Sequence, residues 1–211
     1  MTGDGRAQRE NDLIAYYNNE VQARAGRDLP DERVARRTAY LQRLERDGHR
    51  SVLEIGCGPG RDGQAIATAG FDYTGVDLAS ASVETCRSLG LKAEVASVLD
   101  LPFEDATFDA GWTMSTLLHV ADDDLDQALA EIVRVLRPGA PLAIGLWGDA
   151  SGSEQVWQDD KGFGPGRFFS IRTDAVLRET LQRHSTVEEW LTWDEGGGAM
   201  HYQWAVVRAP A

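Results

Sequence analysis

The sequence has no apolar run approaching the ~18 residues that a membrane-spanning helix requires, no internal repeat and no low-complexity linker. It has only two cysteines, Cys57 and Cys86. Two thiols do not make a disulfide framework, and a metal site would need further ligands. Both are read as small, reduced fillers, and no metal is expected. A lysine-rich run is also missing, and the formal net charge is -13. Nucleic-acid binders draw most of their affinity from phosphate contacts with a basic face, so no nucleic-acid partner is expected. Arg33, Arg36, Arg37 and Arg43 are interleaved with Asp31, Glu32 and Glu45, which reads as a solvated helix face.

What is present is the balance of an ordinary globular domain, 42% hydrophobic and 26% charged over 211 residues, enough to bury one core. The segment Met1 to Asn11 is polar and mixed in charge, unlike a signal or transit peptide. The expected location is the cytoplasm, with no membrane association.

Helical spacing runs from Gln8 to Ala25 through Leu13, Tyr16, Tyr17 and Val21, and a second helix is predicted over Asp31 to Asp47. From Ser51 the pattern alternates between strand and helix. Strands are predicted at Ser51–Ile55, Phe71–Val76, Leu91–Val95, Phe108–Thr113 and Pro141–Trp147, with helices at Arg61–Ala69, Ser80–Leu89 and Asp123–Leu136. The last has the clearest period, with Leu125, Leu129, Ile132 and Leu136 on one face and acids crowding its start. A helix near Thr173–Arg183 and two strands, Ser185–Trp193 and His201–Arg208, complete the chain. Such alternation predicts an α/β, doubly wound, mostly parallel seven-stranded sheet with helices on both faces and a C-terminal antiparallel hairpin.

Sheets of this kind bind ligands beyond the carboxyl ends of their strands. There the first strand runs into Glu54-Ile55-Gly56-Cys57-Gly58-Pro59-Gly60, and the second ends on Asp77. Alternating glycines open the turn to close approach of a ligand, and a carboxylate at Asp77 suits both hydroxyls of a ribose. The pair defines a nucleotide site without naming the nucleotide. The dinucleotide fingerprint G-x-G-x-x-G fails here, because its third position is Arg61.

Glu54 to Asp62 resembles the first motif, acid-x-G-x-G-x-G, of class I S-adenosylmethionine-dependent methyltransferases. Thr74-Gly75-Val76-Asp77-Leu78 is similar to their second motif. Leu101-Pro102-Phe103 with Phe108-Asp109, then Leu117-Leu118-His119-Val120 and Leu136-Arg137-Pro138-Gly139, resemble later signatures of the small-molecule, ubiquinone/menaquinone-type branch. The resemblance spans Ser51 to about Trp147. It implies S-adenosyl-L-methionine as cofactor, a small-molecule methyl acceptor, and a monomer or homodimer. It also implies one methyltransferase domain over 1–211, with an N-terminal helical lid (1–48), a cofactor-binding core (49–147), and a substrate loop with C-terminal strands (148–211).

By position, Glu54 and the turn residues Gly56, Cys57, Gly58 and Gly60 would hold the methionine end, and Asp77 the ribose. Leu78, Val98 and Leu99 would face the adenine. Ser97 stands where many relatives carry an aspartate for the adenine amine. Tyr16 and Tyr17 are lid candidates beside the competing reading of simple amphipathic packing, and Tyr16 is assigned to the cofactor. Met114 and Ser115 are expected in the pocket and Trp112 in the core. His119 is the candidate base; that it instead orients the loop to Asp124 by a hydrogen bond carries more weight. Asp149 to Arg167 reads as a binding loop, with Arg167 in a surface salt bridge or facing an anionic acceptor. Asp122, Asp123 and Asp124 are read as helix-start acids, and His184 and His201 as structural. The competing functions are a cofactor-binding module without catalysis and a nicotinamide-dependent oxidoreductase.

Overall fold

A computed structural model describes residues 3–158, 160–194 and 198–211. Two helices, α1 (Gly3–Ala25) and α2 (Asp31–Arg46), precede the alternating part: β1 (Ser51–Ile55), α3 (Arg61–Thr68), β2 (Asp72–Asp77), α4 (Ser80–Ser88), β3 (Lys92–Val95) and β4 (Ala110–Met114). Then come α5 (Asp122–Val135), β5 (Pro141–Asp149), β6 (Ser153–Trp157), β7 (Arg167–Ile171), α6 (Asp174–His184), β8 (Thr186–Asp194) and β9 (Met200–Arg208). Seven strands form one sheet in the order β3-β2-β1-β4-β5-β9-β8. The first five are mutually parallel, and β9 runs antiparallel between β5 and β8. The predicted hairpin therefore forms, with β8 at the edge.

Strand side chains alternate between faces, and β1 shows how this builds two cores. Leu53 and Ile55 join the α5 and α6 residues Leu125, Leu129, Ile132, Leu177 and Leu181 on one face. Val52 joins Tyr40, Leu41 and Leu44 of α2 and Ile66 of α3 on the other. Fully burying side chains of this size contributes ~1.5–3 kcal/mol each, so both faces are anchored. Trp112 is completely buried against Tyr40 and Trp204, as its core reading requires.

Three expectations are corrected. The stretch read as a loop from Asp149 to Arg167 contains β6, which pairs antiparallel with β7 in a separate two-stranded ribbon; Asp159 lies outside the described residues. Nothing in its polar, glycine-punctuated sequence alternates strongly enough to reveal the strand. Arg33 and Arg37 do not form a solvated face, because both reach the buried carboxylate of Asp62 in α3. The Trp112 indole also donates to Asp62, at 3.1 Å. Burial alone would raise the Asp62 pKa, but the two guanidinium groups outweigh it and hold the carboxyl below its ordinary value. Finally, β4 starts at Ala110 rather than Phe108, which makes an isolated bridge to Leu136.

Candidate cofactor and acceptor site

A cleft opens beyond the carboxyl ends of β1, β2, β3 and β4, at the point where the strand order reverses between β1 and β4. Its floor begins at the glycine turn. The amides of Gly56 and Cys57 donate to the Val76 carbonyl (2.8 and 3.0 Å), that of Gly60 to the Cys57 carbonyl (3.0 Å), and that of Gly58 to Asp77 Oδ2 (2.8 Å). Gly56 has φ +77°, and a Cβ there would lie 1.9 Å from Thr116 Oγ1. Only glycine fits so tight a crossing of β1 against the end of β4.

Asp77 is fixed by a second amide, from Ala79 to Oδ1 at 2.9 Å. Burial raises its pKa, against the pull of these two amides. Each oxygen keeps a lone pair for a further donor. Glu54 is buried on β1 and accepts from the Tyr73 hydroxyl at 2.7 Å. Burial, reinforced by nearby Asp62, raises its pKa well above the ordinary carboxylate value. A cationic ligand group would relieve that penalty. Cys57 and Cys86 are both buried, their sulfurs 3.6 Å apart.

Sequence-predicted residues Glu54, Gly56, Cys57, Gly58, Asp77, Leu78, Ser97, Val98, Leu99, Met114 and His119 all line this cleft, and so does Ser115. Gly60 and Tyr16 do not. Gly60 is the left-handed residue that opens α3 (φ +83°), and its Cβ position faces Cys86 and Leu91. Tyr16 points away, into a cluster with Phe163 and the Arg167 guanidinium, which lies 4.1 Å from its ring. On a helix, adjacent residues differ by about 100°, and it is Tyr17 that faces the cleft. Among the described residues Arg167 makes no salt bridge; it stands behind the cleft wall and donates to the Tyr17 hydroxyl at 3.5 Å. It is flanked by the rings of Tyr16, Tyr17 and Phe169, a set of cation–π contacts.

At the β4 side, Ser115 has φ +56°, a left-handed conformation costly for a residue with a Cβ. Its amide donates to the Gly145 carbonyl at 2.6 Å, and its hydroxyl pairs with Tyr202 at 3.0 Å. One helical turn, Leu117–His119, then carries His119. The imidazole Nδ1 lies 2.8 Å from the Phe168 carbonyl, which only accepts, so Nδ1 carries the proton. Nε2 accepts from the Tyr17 hydroxyl at 2.7 Å. Burial, with Arg167 and Arg24 adding to it, lowers the His119 pKa to about 3.

The residue that positions this turn escaped sequence reading. Arg172 is buried, and its guanidinium donates to the carbonyls of Leu117 (3.0 Å) and Val120 (2.6 Å) and to Asp122 Oδ1 (2.8 Å). It thus brackets His119 from both sides. A single arginine following an apolar strand gives no sequence signal of that role. Asp122 and Asp124, read as helix-start acids, also have arginine partners: Arg172 for the first, Arg6 and Arg9 for the second. His184 and His201 pair with Asp126 and Asp174.

The roof is α1. It is tied to α5 by the Arg6 and Arg9 pairs with Asp124, and to α4 by Asn18 Oδ1, which accepts from the Ala81 amide at 2.9 Å. Asn19 donates to the Phe163 carbonyl at 2.7 Å.

A doubly wound sheet with a carboxylate poised at the end of β2 and a roofed cleft beside it defines a nucleoside-binding α/β domain. Residues 52–139 match the family described as a methyltransferase domain. It is 35% identical over 126 residues to an O-methyltransferase, resE, of Aspergillus sclerotiorum, covering 56% of this chain and 46% of that protein. It is 36% identical over 103 residues to the 27-O-demethylrifamycin SV methyltransferase of Amycolatopsis mediterranei, covering 44% and 37%. The chain spans about half or less of the length of these curated relatives. Among solved structures, the 1,6-didemethyltoxoflavin-N1-methyltransferase of Burkholderia thailandensis, with S-adenosylhomocysteine bound, superposes over 100% of this chain and 92% of its own, at TM-score 0.74 and 21% identity. The cyclase SpnF superposes at TM-score 0.61 and 18% identity over 77% and 75%, so the fold by itself does not name the reaction.

Proposed function

We propose that this protein transfers the methyl group of S-adenosylmethionine to an oxygen, nitrogen or sulfur atom of a small molecule. The observation that carries the choice of cofactor is the hydrogen bonding of the glycine turn. All four amides of Gly56, Cys57, Gly58 and Gly60 are satisfied within the protein. A pyrophosphate cofactor is held by free amides at such a turn, so the turn suits a nucleoside without phosphates and disfavours a nicotinamide dinucleotide. The relatives named as O-methyltransferases favour oxygen among the three acceptor atoms.

In this reading Asp77 accepts from the ribose hydroxyls, Glu54 faces the methionine ammonium, and Leu78, Val98 and Leu99 pack on the base. The cofactor supplies a methyl carbon already activated by its sulfonium, so the protein contributes alignment and exclusion of water. Met114, Ser115, Tyr17 and His119 surround the acceptor side. With Nε2 occupied and its charged form disfavoured, His119 serves here by fixing the Tyr17 hydroxyl rather than as a free base. Among the described residues, no helix is long and apolar enough to cross a membrane. We take the protein as cytoplasmic, a monomer or homodimer, with the lid, core and substrate segments divided near residues 48 and 147.

Calorimetric titration with S-adenosylhomocysteine and, separately, NADH tests the cofactor. Micromolar-range binding of the first and none of the second is expected; the reverse would overturn the reading. Transfer of an isotope-labelled methyl group to a panel of phenols, amines and thiols then tests the reaction.

A further inference from the structure

The sheet order sets the carboxyl ends of β1, β2 and β3 side by side. A nucleoside with its ribose at Asp77 must send one end towards β1 and the other towards β3. The β1 side carries charge, Glu54 and Arg33. The β3 side is apolar, formed by Leu78, Ala96, Val98 and Leu99, and suits the flat base. A base also needs a polar edge contact to be identified, and two side chains bear on that question here.

Ser97 is one, but its proton and one of its two lone pairs are engaged. Its hydroxyl donates to Glu10 Oε1 at 2.8 Å and accepts from the Leu99 amide at 3.2 Å. Glu10 is the other. It belongs to α1, lines the cleft, and comes to the β3 side from the roof. Its Oε2 meets no donor among the described residues. The nearby cations Arg6 and Arg9 are both turned to Asp124, so among the described residues no ion pair neutralises Glu10. A half-buried carboxylate with one oxygen anchored and the other open is an acceptor awaiting a donor.

We propose that Glu10 reads the exocyclic amine of the adenine, with Ser97 holding the carboxylate in place. This rests on the reading of the cleft as a nucleoside-cofactor site. The contact crosses from the core to the roof, so the base that satisfies Glu10 also draws α1 down over the cofactor. A carboxylate accepts from the amine of adenine and repels the carbonyl that hypoxanthine presents at the same position. The protein therefore discriminates at the exocyclic position between two cofactors whose bases differ along one edge, a 6-amine beside a bare N1 against a 6-carbonyl beside an N1–H.

The test is equilibrium binding of S-adenosylhomocysteine and its inosine analogue to the wild-type protein, Glu10→Ala and Glu10→Gln. Sites built to bond an N–H reject ligands lacking it strongly, so the wild type should prefer the adenine form by at least about tenfold. Glu10→Ala should bring the two affinities to within about threefold, with inosine-analogue binding unchanged or tighter. Glu10→Gln, whose amide donates to a carbonyl, should tighten the inosine analogue further. A merely structural role would weaken both ligands alike, and a preserved tenfold preference in Glu10→Ala overturns the assignment. If the wild type binds neither ligand, the nucleoside reading itself fails, a result distinct from failure of the Glu10 contact.

Discussion

The Tyr17 hydroxyl stands 2.7 Å from Nε2 of His119, and this one hydrogen bond joins the roof helix to the turn that follows β4. Its direction is fixed from the far side of the ring, where Nδ1 donates to the Phe168 carbonyl of β7. Three elements distant in sequence therefore share one neutral imidazole. In Tyr17→Phe the buried Nε2 loses its donor, at a cost of ~1–3 kcal/mol borne by the closed position of α1. Amides of α1 from Asp12 to Glu20 should exchange with deuterium faster by roughly 5- to 100-fold, with the sheet unaffected. Equal protection in the two proteins would mean that the roof is held elsewhere.

The lowered pKa of His119 gives stability a definite pH dependence. Between about 3 in the folded state and the ordinary 6.5 in the unfolded chain, the unfolded chain binds the extra proton. Stability from this group is complete above pH 6.5 and falls as the pH drops towards 3, at up to ~1.4 kcal/mol per pH unit. The raised pKa values of Glu54 and Asp77 act in the opposite sense. Comparison with His119→Asn, whose amide donates to Phe168 and does not titrate, cancels them. Urea midpoints at pH 7 and pH 5 should diverge more in the wild type than in the variant.

Asp77→Ala removes the group assigned to the ribose and also strips the Gly58 and Ala79 amides of their acceptor. Affinity for S-adenosylhomocysteine should fall by ~1–3 kcal/mol. Unchanged affinity by calorimetry would remove the ribose from this position.

Arg172→Leu leaves the carbonyls of Leu117 and Val120 without their donor in a buried setting. A loss of ~2–4 kcal/mol in unfolding free energy is expected. Arg172→Lys should recover little, because one ammonium does not span three acceptors as a planar guanidinium does. A denaturation midpoint unchanged in Arg172→Leu would contradict the bracketing role.

The sheet and most of the cleft were legible in the sequence because their signals are local. The 3.6-residue period of α5, the short apolar runs of β1 and β5, and the glycine turn with Asp77 each lie within a few consecutive residues. What escaped depends on meetings across the chain. Arg33 and Arg37 reach Asp62 from 29 and 25 positions away, and Arg172 reaches Leu117 from 55. No pattern on either side announces the partner. Tyr16 and Tyr17 are a related case: two adjacent tyrosines fit the helix equally well in sequence, and only the packing of Phe163 and Arg167 around the buried Tyr16 leaves Tyr17 to line the cleft. The β6–β7 ribbon was missed because its first strand is exposed along most of its length, leaving no apolar alternation to read.

The two ends of α1 are held by different forces. Near its start Arg6 and Arg9 converge on Asp124; further along, Tyr16 meets Tyr17 and Phe163 edge to face. Charge pairs in contact and largely shielded from solvent are screened far less than solvated ones, while salting-out ions strengthen the aromatic contacts. Rising ionic strength therefore leaves the tyrosine end closed and weakens the amino-terminal end only modestly, first at Arg6, the most exposed of the three charged partners. Whatever opening salt produces in the roof is hinged on the tyrosines.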